Sequence, residues 1–141
     1  MTLAMTTEEL NAFLERAFPQ VAGQIRVEAS DADRMISRLV VDDAHLRPGG
    51  TVSGPSIFAL ADVTIYLAIL ARIGEVALAV TTNASIDFMR KPASGRDLLA
   101  ECRILKLGRT LAVGEVLVRS EGGADPVARC SMTYSIPPKG R

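Results

Sequence analysis

The sequence predicts an α+β domain in which one antiparallel sheet of six strands curves around a single long apolar helix. The stretch Ser56 to Ile73 is apolar on nearly every side, and such a helix has to be covered over most of its surface. Two strand-like runs precede it and four follow. Short connections between consecutive runs imply antiparallel pairing. The chain has 141 residues, 48% hydrophobic and 23% charged, which suits one domain with a real core over residues 1–141. A single sheet leaves edges and apolar surface open, so a dimer that continues the sheet is expected.

Taken in order, Thr6 and Glu9 form a capping-box pair, and Leu10, Phe13, Leu14 and Ala17 follow at helical spacing. This predicts a helix over about 7–18, stopped before Pro19. Segments 24–30 and 34–42 read as strands joined by an Asp-Ala-Asp turn. "DDAHLRPGG" reads as loop. Pro55 suits the first helical position, and Arg72 and Gly74 suit the last turn and the C-cap, so the central helix spans about 55–73. In 76–90, Val80, Thr82, Ala84, Ile86 and Phe88 alternate with Thr81, Asn83, Ser85 and Asp87, which assigns them to opposite faces. Runs 97–107, 109–119 and 127–136 complete the sheet, separated by Gly108 and "EGGADP".

Sixteen basic and sixteen acidic residues cancel, leaving no footprint for nucleic acid or an anionic membrane at whole-chain level. Aromatic residues make up 4% and Trp is absent, which argues against a base-stacking platform. Cys102 and Cys130 fall in strand-like segments away from any metal-ligand spacing, and read as packed thiols in a reducing, cytoplasmic compartment. "MTLAMTTEEL" has no basic region followed by an apolar run, so no signal peptide is expected. The central apolar run carries Asp62 at its middle and reads as a core helix, not a membrane span.

Asp62 is the residue that asks for an explanation. An ionised carboxylate in a low-dielectric interior costs several kcal/mol unless it is paired or meets a wet cleft. Its helical neighbours Phe58, Ala59, Ile65 and Tyr66 include no cation. Asp62 therefore reaches solvent at a gap in the sheet, pairs with a distant arginine, or serves a cleft as base or nucleophile. Gly49, Gly50, Ser53, Gly54 and Pro55 form either a plain turn with an N-cap or a lead-in that opens amides at the helix start to an oxyanion. His45 is a loop histidine that bonds locally or, paired with Asp62, an acid–base partner. No Ser-His-Asp arrangement and no metal cluster is legible. Arg90, Lys91, Arg96, Lys106 and Arg109 are solvated strand ends or part of a rim for an anionic tail.

With these residues in view, the chain resembles the hotdog-fold acyl-CoA thioesterases of the phenylacetate-pathway (PaaI) type. The matching pieces are "HLRPGGTVSGP", "LAD" (Leu60 to Asp62), "IDFMRKPASGRDLLAE", "KLGRTLAVGEV" and "CSMTYSIP", in order from about Asp42 to Pro137. The resemblance implies a sheet around a central helix, a dimer or dimer of dimers with active sites between protomers, and acyl-CoA as substrate with no separate cofactor. It implies Asp62 as the carboxylate that activates water or attacks the thioester. Gly54 is then the oxyanion amide, and Thr81 a hydroxyl that holds the water. It makes Arg90, Lys91 and Arg109 candidates for the CoA phosphates. The family's His-Gly-Gly reads Ser53-Gly54-Pro55 here and its loop Asn reads Arg47, so Ser53 and Arg47 stand where the family orients the thioester. The hydratase alternative rests on His45 with Asp62, and the binding alternative on the Ser53, Pro55 and Arg47 departures.

Overall fold

A computed structural model describes residues 3–138. Helix α1 (Thr7–Ala17) begins as expected: Thr6 Oγ1 accepts the Glu9 N–H at 3.1 Å, and Glu9 Oε1 accepts the Thr6 N–H at 3.0 Å. It buries Leu10, Phe13 and Leu14. Pro19 does more than end it. Proline's fixed φ also starts a helix well, and a second short helix, α2 (Pro19–Ala22), follows at once.

The sheet runs β1 (Ile25–Ser30), β2 (Met35–Leu39), β4 (Leu98–Leu107), β5 (Leu111–Ser120), β6 (Pro126–Ser135), β3 (Val80–Phe88), and every adjacent pair is antiparallel. Asp31 closes the β1–β2 turn by accepting the N–H groups of Asp33 and Arg34 at 2.8 and 3.0 Å. Strand β2 stops short of residue 42 because the next amides leave the ladder: Val40 N–H goes to Gln24 O at 2.8 Å, and Val41 N–H to Asp97 Oδ1 at 3.0 Å. Likewise β3 starts at Val80, not 76, since Ala79 N–H turns back to Val76 O at 3.0 Å.

Helix α3 (Gly54–Ile73) packs against all six strands and α1. Its length and hydropathy would suit a membrane span, yet 67% of its most apolar window is buried inside the fold. Gly74, at φ 90°, ends it. The helix packs tightly on the sheet over Gly114, where a Cβ would lie 3.1 Å from Ile65 Cγ2. This is the expected hotdog arrangement, a six-stranded sheet around one helix.

Strand β3 lies at one edge, bonded to β6 alone, and is largely exposed. Its alternation breaks. The register with β6 passes from Thr81↔Tyr134 directly to Asn83↔Thr133, so Thr82 is an extra residue. Paired residues share a face. Phe88, Ile86 and Ala84 pair with the inward Ala128, Cys130 and Met132, and Thr81 joins them by pairing with the inward Tyr134. The bulge therefore turns Thr81 onto the helix side, against the strict alternation that assigned it to the opposite face.

Candidate active site

The first turn of α3 shows why this sequence starts a helix with Ser-Gly-Pro. Ser53 Oγ accepts the Ser56 N–H at 3.4 Å and donates to Ser56 Oγ at 3.0 Å. Ile57 N–H goes to Ser53 O at 3.1 Å, and Pro55 has no N–H to offer. The Gly54 N–H is thus the one amide of this turn without an acceptor among the described residues, at the positive end of a helix of 20 residues. A Cβ on Gly54 would meet only ordinary contact with the Phe88 ring, at 3.4 Å and beyond. Neither packing nor φ within the protomer demands the glycine.

Asp62 lies two turns further on, half-buried. Thr81 Oγ1 donates to its Oδ1 at 2.5 Å, and the Tyr134 phenol donates to the same oxygen at 2.7 Å. Among the described residues Asp62 is therefore met by hydroxyl donors, not by an arginine. Asp62 opens onto a cleft of about 480 Å³, whose walls include Phe18, Tyr66, Leu78, Thr81 and Tyr134. Phe18 meets Tyr66 edge-on at 6.3 Å, and Tyr66 stacks on Tyr134 at 6.2 Å and 29°. Burial first, and then the Asp62 charge, raise the Tyr134 phenol far above its ordinary value, so it remains a donor. The sequence reading missed Tyr134 and Phe18 as site residues. The usable signal was a tyrosine on the buried face of a strand, whose hydroxyl needs a partner.

The other candidates are not all brought together. Gly54 and Asp62 are eight residues apart on one helix, about 12 Å along its axis, too far to serve one carbonyl. Arg47 sits in an exposed turn, and its side chain makes no hydrogen bond or ion pair among the described residues. His45 is buried away from the cleft. Its Nδ1 accepts the Asp42 N–H at 2.9 Å and its Nε2 meets Gln24 Oε1 at 2.7 Å. That fixes the Nε2–H tautomer, so the nearby Asp42 carboxylate at 3.4 Å is no partner for a proton on Nδ1. His45 does not line the Asp62 cleft, so the pairing of His45 with Asp62 is not favoured within the protomer.

Arg90 adjoins the start of β6, with Nη1 3.2 Å from Pro126 O and 3.8 Å from Asp125 Oδ2. Lys91 is exposed beside it. Arg109 belongs to the other end, where the Ile136 N–H bonds Thr110 O at 2.8 Å; it lines a separate cavity of about 660 Å³ with Arg72, Ile73 and Val76. The length of β6 separates the two groups by about 30 Å, so they do not form one rim within a protomer. Among the described residues no group of three or more His, Cys, Asp or Glu could hold a metal ion.

The fold and the helical carboxylate together define a hotdog protein of the thioester-handling class. The sequence profile of the Thioesterase superfamily matches residues 49–127, more than half of the chain, and the chain belongs to that superfamily. Human acyl-coenzyme A thioesterase 13 (Homo sapiens) is 28% identical over 101 residues, 72% of this chain and 71% of that one. A protein of Silicibacter sp. TM1040, provisionally described as a thioesterase, superposes with a TM-score of 0.92 at 60% identity, covering 98% of this chain and 96% of that one. A mutant of the phenylacetic acid degradation protein PaaI from Thermus thermophilus gives a TM-score of 0.69 at 26% identity, over 89% and 99% of the two chains.

Proposed function

We propose that the protein hydrolyses acyl-CoA thioesters, with Asp62 as the carboxylate that activates water or attacks the carbonyl and Gly54 N–H as the oxyanion donor. The observation that carries this is Asp62 itself: a half-buried carboxylate in an otherwise apolar helix, held by two hydroxyl donors and open to a cleft. Water adds to the thioester carbon, negative charge collects on its oxygen, the C–S bond breaks, and the CoA sulfur takes up a proton. No cofactor beyond the CoA of the substrate is required. Thr81 commits its own proton to Asp62, so any part it has in holding water is through its lone pairs.

The site spans two copies of the chain. The 12 Å offset along α3 argues for it if both groups serve one carbonyl, and the free edge of β3 supports it. Gly54 lies beside Phe88 near one end of β3, and Asp62 beside Thr81 at the other. Two β3 edges joined antiparallel bring Gly54 of the partner subunit toward Asp62, and continue the sheet. Arg90 and Lys91, at the Gly54 end, are the nearer candidates for the CoA phosphates, and Arg109 reaches that tail only from another copy. Arg47 is the exposed donor next to the same helix start. Two buried free thiols, Cys102 and Cys130, support a reducing, cytoplasmic setting.

Release of free thiol from aryl-, short-, medium- and long-chain acyl-CoAs tests the reading, with wild type and Asp62→Asn compared. Wild type should turn over some esters, and kcat should fall about 10²–10⁴-fold in the mutant. Asparagine can still accept at Oδ1 from both hydroxyls, so the mutant should stay folded. No thiol from any ester, with folded wild-type protein, would leave a binding protein in its place.

A further inference from the structure

Tyr134 does more at this site than fill space. It is 3% exposed, and its hydroxyl lies 2.7 Å from Asp62 Oδ1 and 2.9 Å from the Asp62 main-chain oxygen. Thr81 Oγ1 reaches the same Oδ1 at 2.5 Å. Neither hydroxyl meets Oδ2, which has no protein partner among the described residues. The carboxylate is thus bonded on one side only.

An aspartate carboxylate has no strong torsional preference of its own, because the well at its last bond is broad. In an apolar helix with no neighbouring cation, the two donors alone set its plane and decide which oxygen is left for chemistry. The phenol is itself well held: Tyr66 stacks on its ring, and the Tyr66 hydroxyl donates to Ala77 O at 2.9 Å. The Thr82 bulge brings the second donor to the same oxygen. A buried tyrosine needs one acceptor, and the main-chain carbonyl within reach would have sufficed for that.

We propose that Tyr134 is a positioning residue for catalysis: with Thr81 it locks Asp62 through Oδ1, so that Oδ2 is the oxygen presented to the thioester or its attacking water. This rests on the hydrolase reading above and assigns the atom through which that reading works.

Tyr134→Phe keeps the ring and its stack on Tyr66 and removes only the hydroxyl. Thiol release from the best acyl-CoA of the panel should show kcat down about 10–100-fold, the range that a misplaced catalytic group costs, with KM within about twofold of wild type. Thermal melting should stay within a few degrees. Thr81→Val should give the same kcat loss, and Thr81→Ser, which keeps the donor, should restore most of it. Unchanged kcat in Tyr134→Phe overturns the proposal, as does a raised KM at unchanged kcat, which would make Tyr134 a binding residue. Should Tyr134→Phe unfold, Thr81→Val carries the test; if both unfold, the pair is structural and the proposal falls. A wild type that cuts no ester overturns the hydrolase reading and this one with it, a result distinct from any mutant phenotype.

Discussion

Replacing Gly114 with valine tests how α3 is seated on the sheet. A Cβ at Gly114 already stands 3.1, 3.2 and 3.4 Å from Cγ2, Cγ1 and Cδ1 of Ile65. Valine adds two more carbons to that space. Ile65 is fully buried, and a β-branched side chain in a helix has essentially one rotamer, so it cannot step aside. Overpacking of this kind costs about 1–3 kcal/mol. Valine's better fit to a strand returns about 0.5–1 kcal/mol. The net loss of about 1–2 kcal/mol should lower the melting temperature by about 3–8 °C for a chain of this size. The sign should reverse in an Ile65→Ala background, where the cavity left by isoleucine costs about 2–5 kcal/mol and valine at 114 refills part of it. Circular-dichroism melts of the four proteins measure this directly. An unchanged or higher melting temperature in Gly114→Val refutes the argument, and so does an equal drop in both backgrounds. Ile65 sits one turn from Asp62, so a helix pushed off the sheet should also weaken the carboxylate's bonds to Thr81 and Tyr134, and kcat should fall with stability.

His45→Ala should cost about 1–2 kcal/mol of stability, since the buried ring is hydrogen-bonded through both nitrogens; kcat of the folded variant should stay near wild type, and a large loss of turnover would return histidine to the chemistry. Burial pushes the Cys130 thiol up to about 11 and the Cys102 thiol up to about 12, so neither should react with a thiol reagent at pH 8 until the protein unfolds. An unfolded chain gives up these protons near pH 8.5 while the folded one keeps them, so stability should fall as pH rises from about 8.5 toward 11. Melts at pH 8 and pH 10.5 check the sign, and rapid labelling of the native protein would contradict it.

The architecture was legible because its signals are strong and local. Thr6 and Glu9 start α1, Pro55 and Gly74 bracket α3, and an all-round apolar helix admits few coverings. Strand ends were displaced where side chains took over backbone bonding, as Asp97 does with Val41. Asp62 and Gly54 stood out by their chemistry. Tyr134 did not, because a tyrosine in a strand reads as packing until its neighbour across the helix is known. Thr81 was assigned to the wrong face for a related reason: alternation is counted residue by residue, and a bulge is a property of the pair of strands. Its hydroxyl meets Asp62 from the helix side, the reverse of the direction that alternation gave.

The extra residue at Thr82 gives the two halves of β3 opposite parity. From Ala84 to Phe88 the strand follows one count of in and out, and at Thr81 it follows another. Substitutions in the outer half can change how the edge meets its neighbour without rotating the hydroxyl that holds Asp62. Length acts differently: with Thr82 removed, ordinary alternation would return and that hydroxyl would stay on the helix side, still paired with Tyr134. The strand is therefore tolerant in composition and, at this one position, in number, which aligned sequences would record as frequent exchanges and a one-residue gap at the bulge.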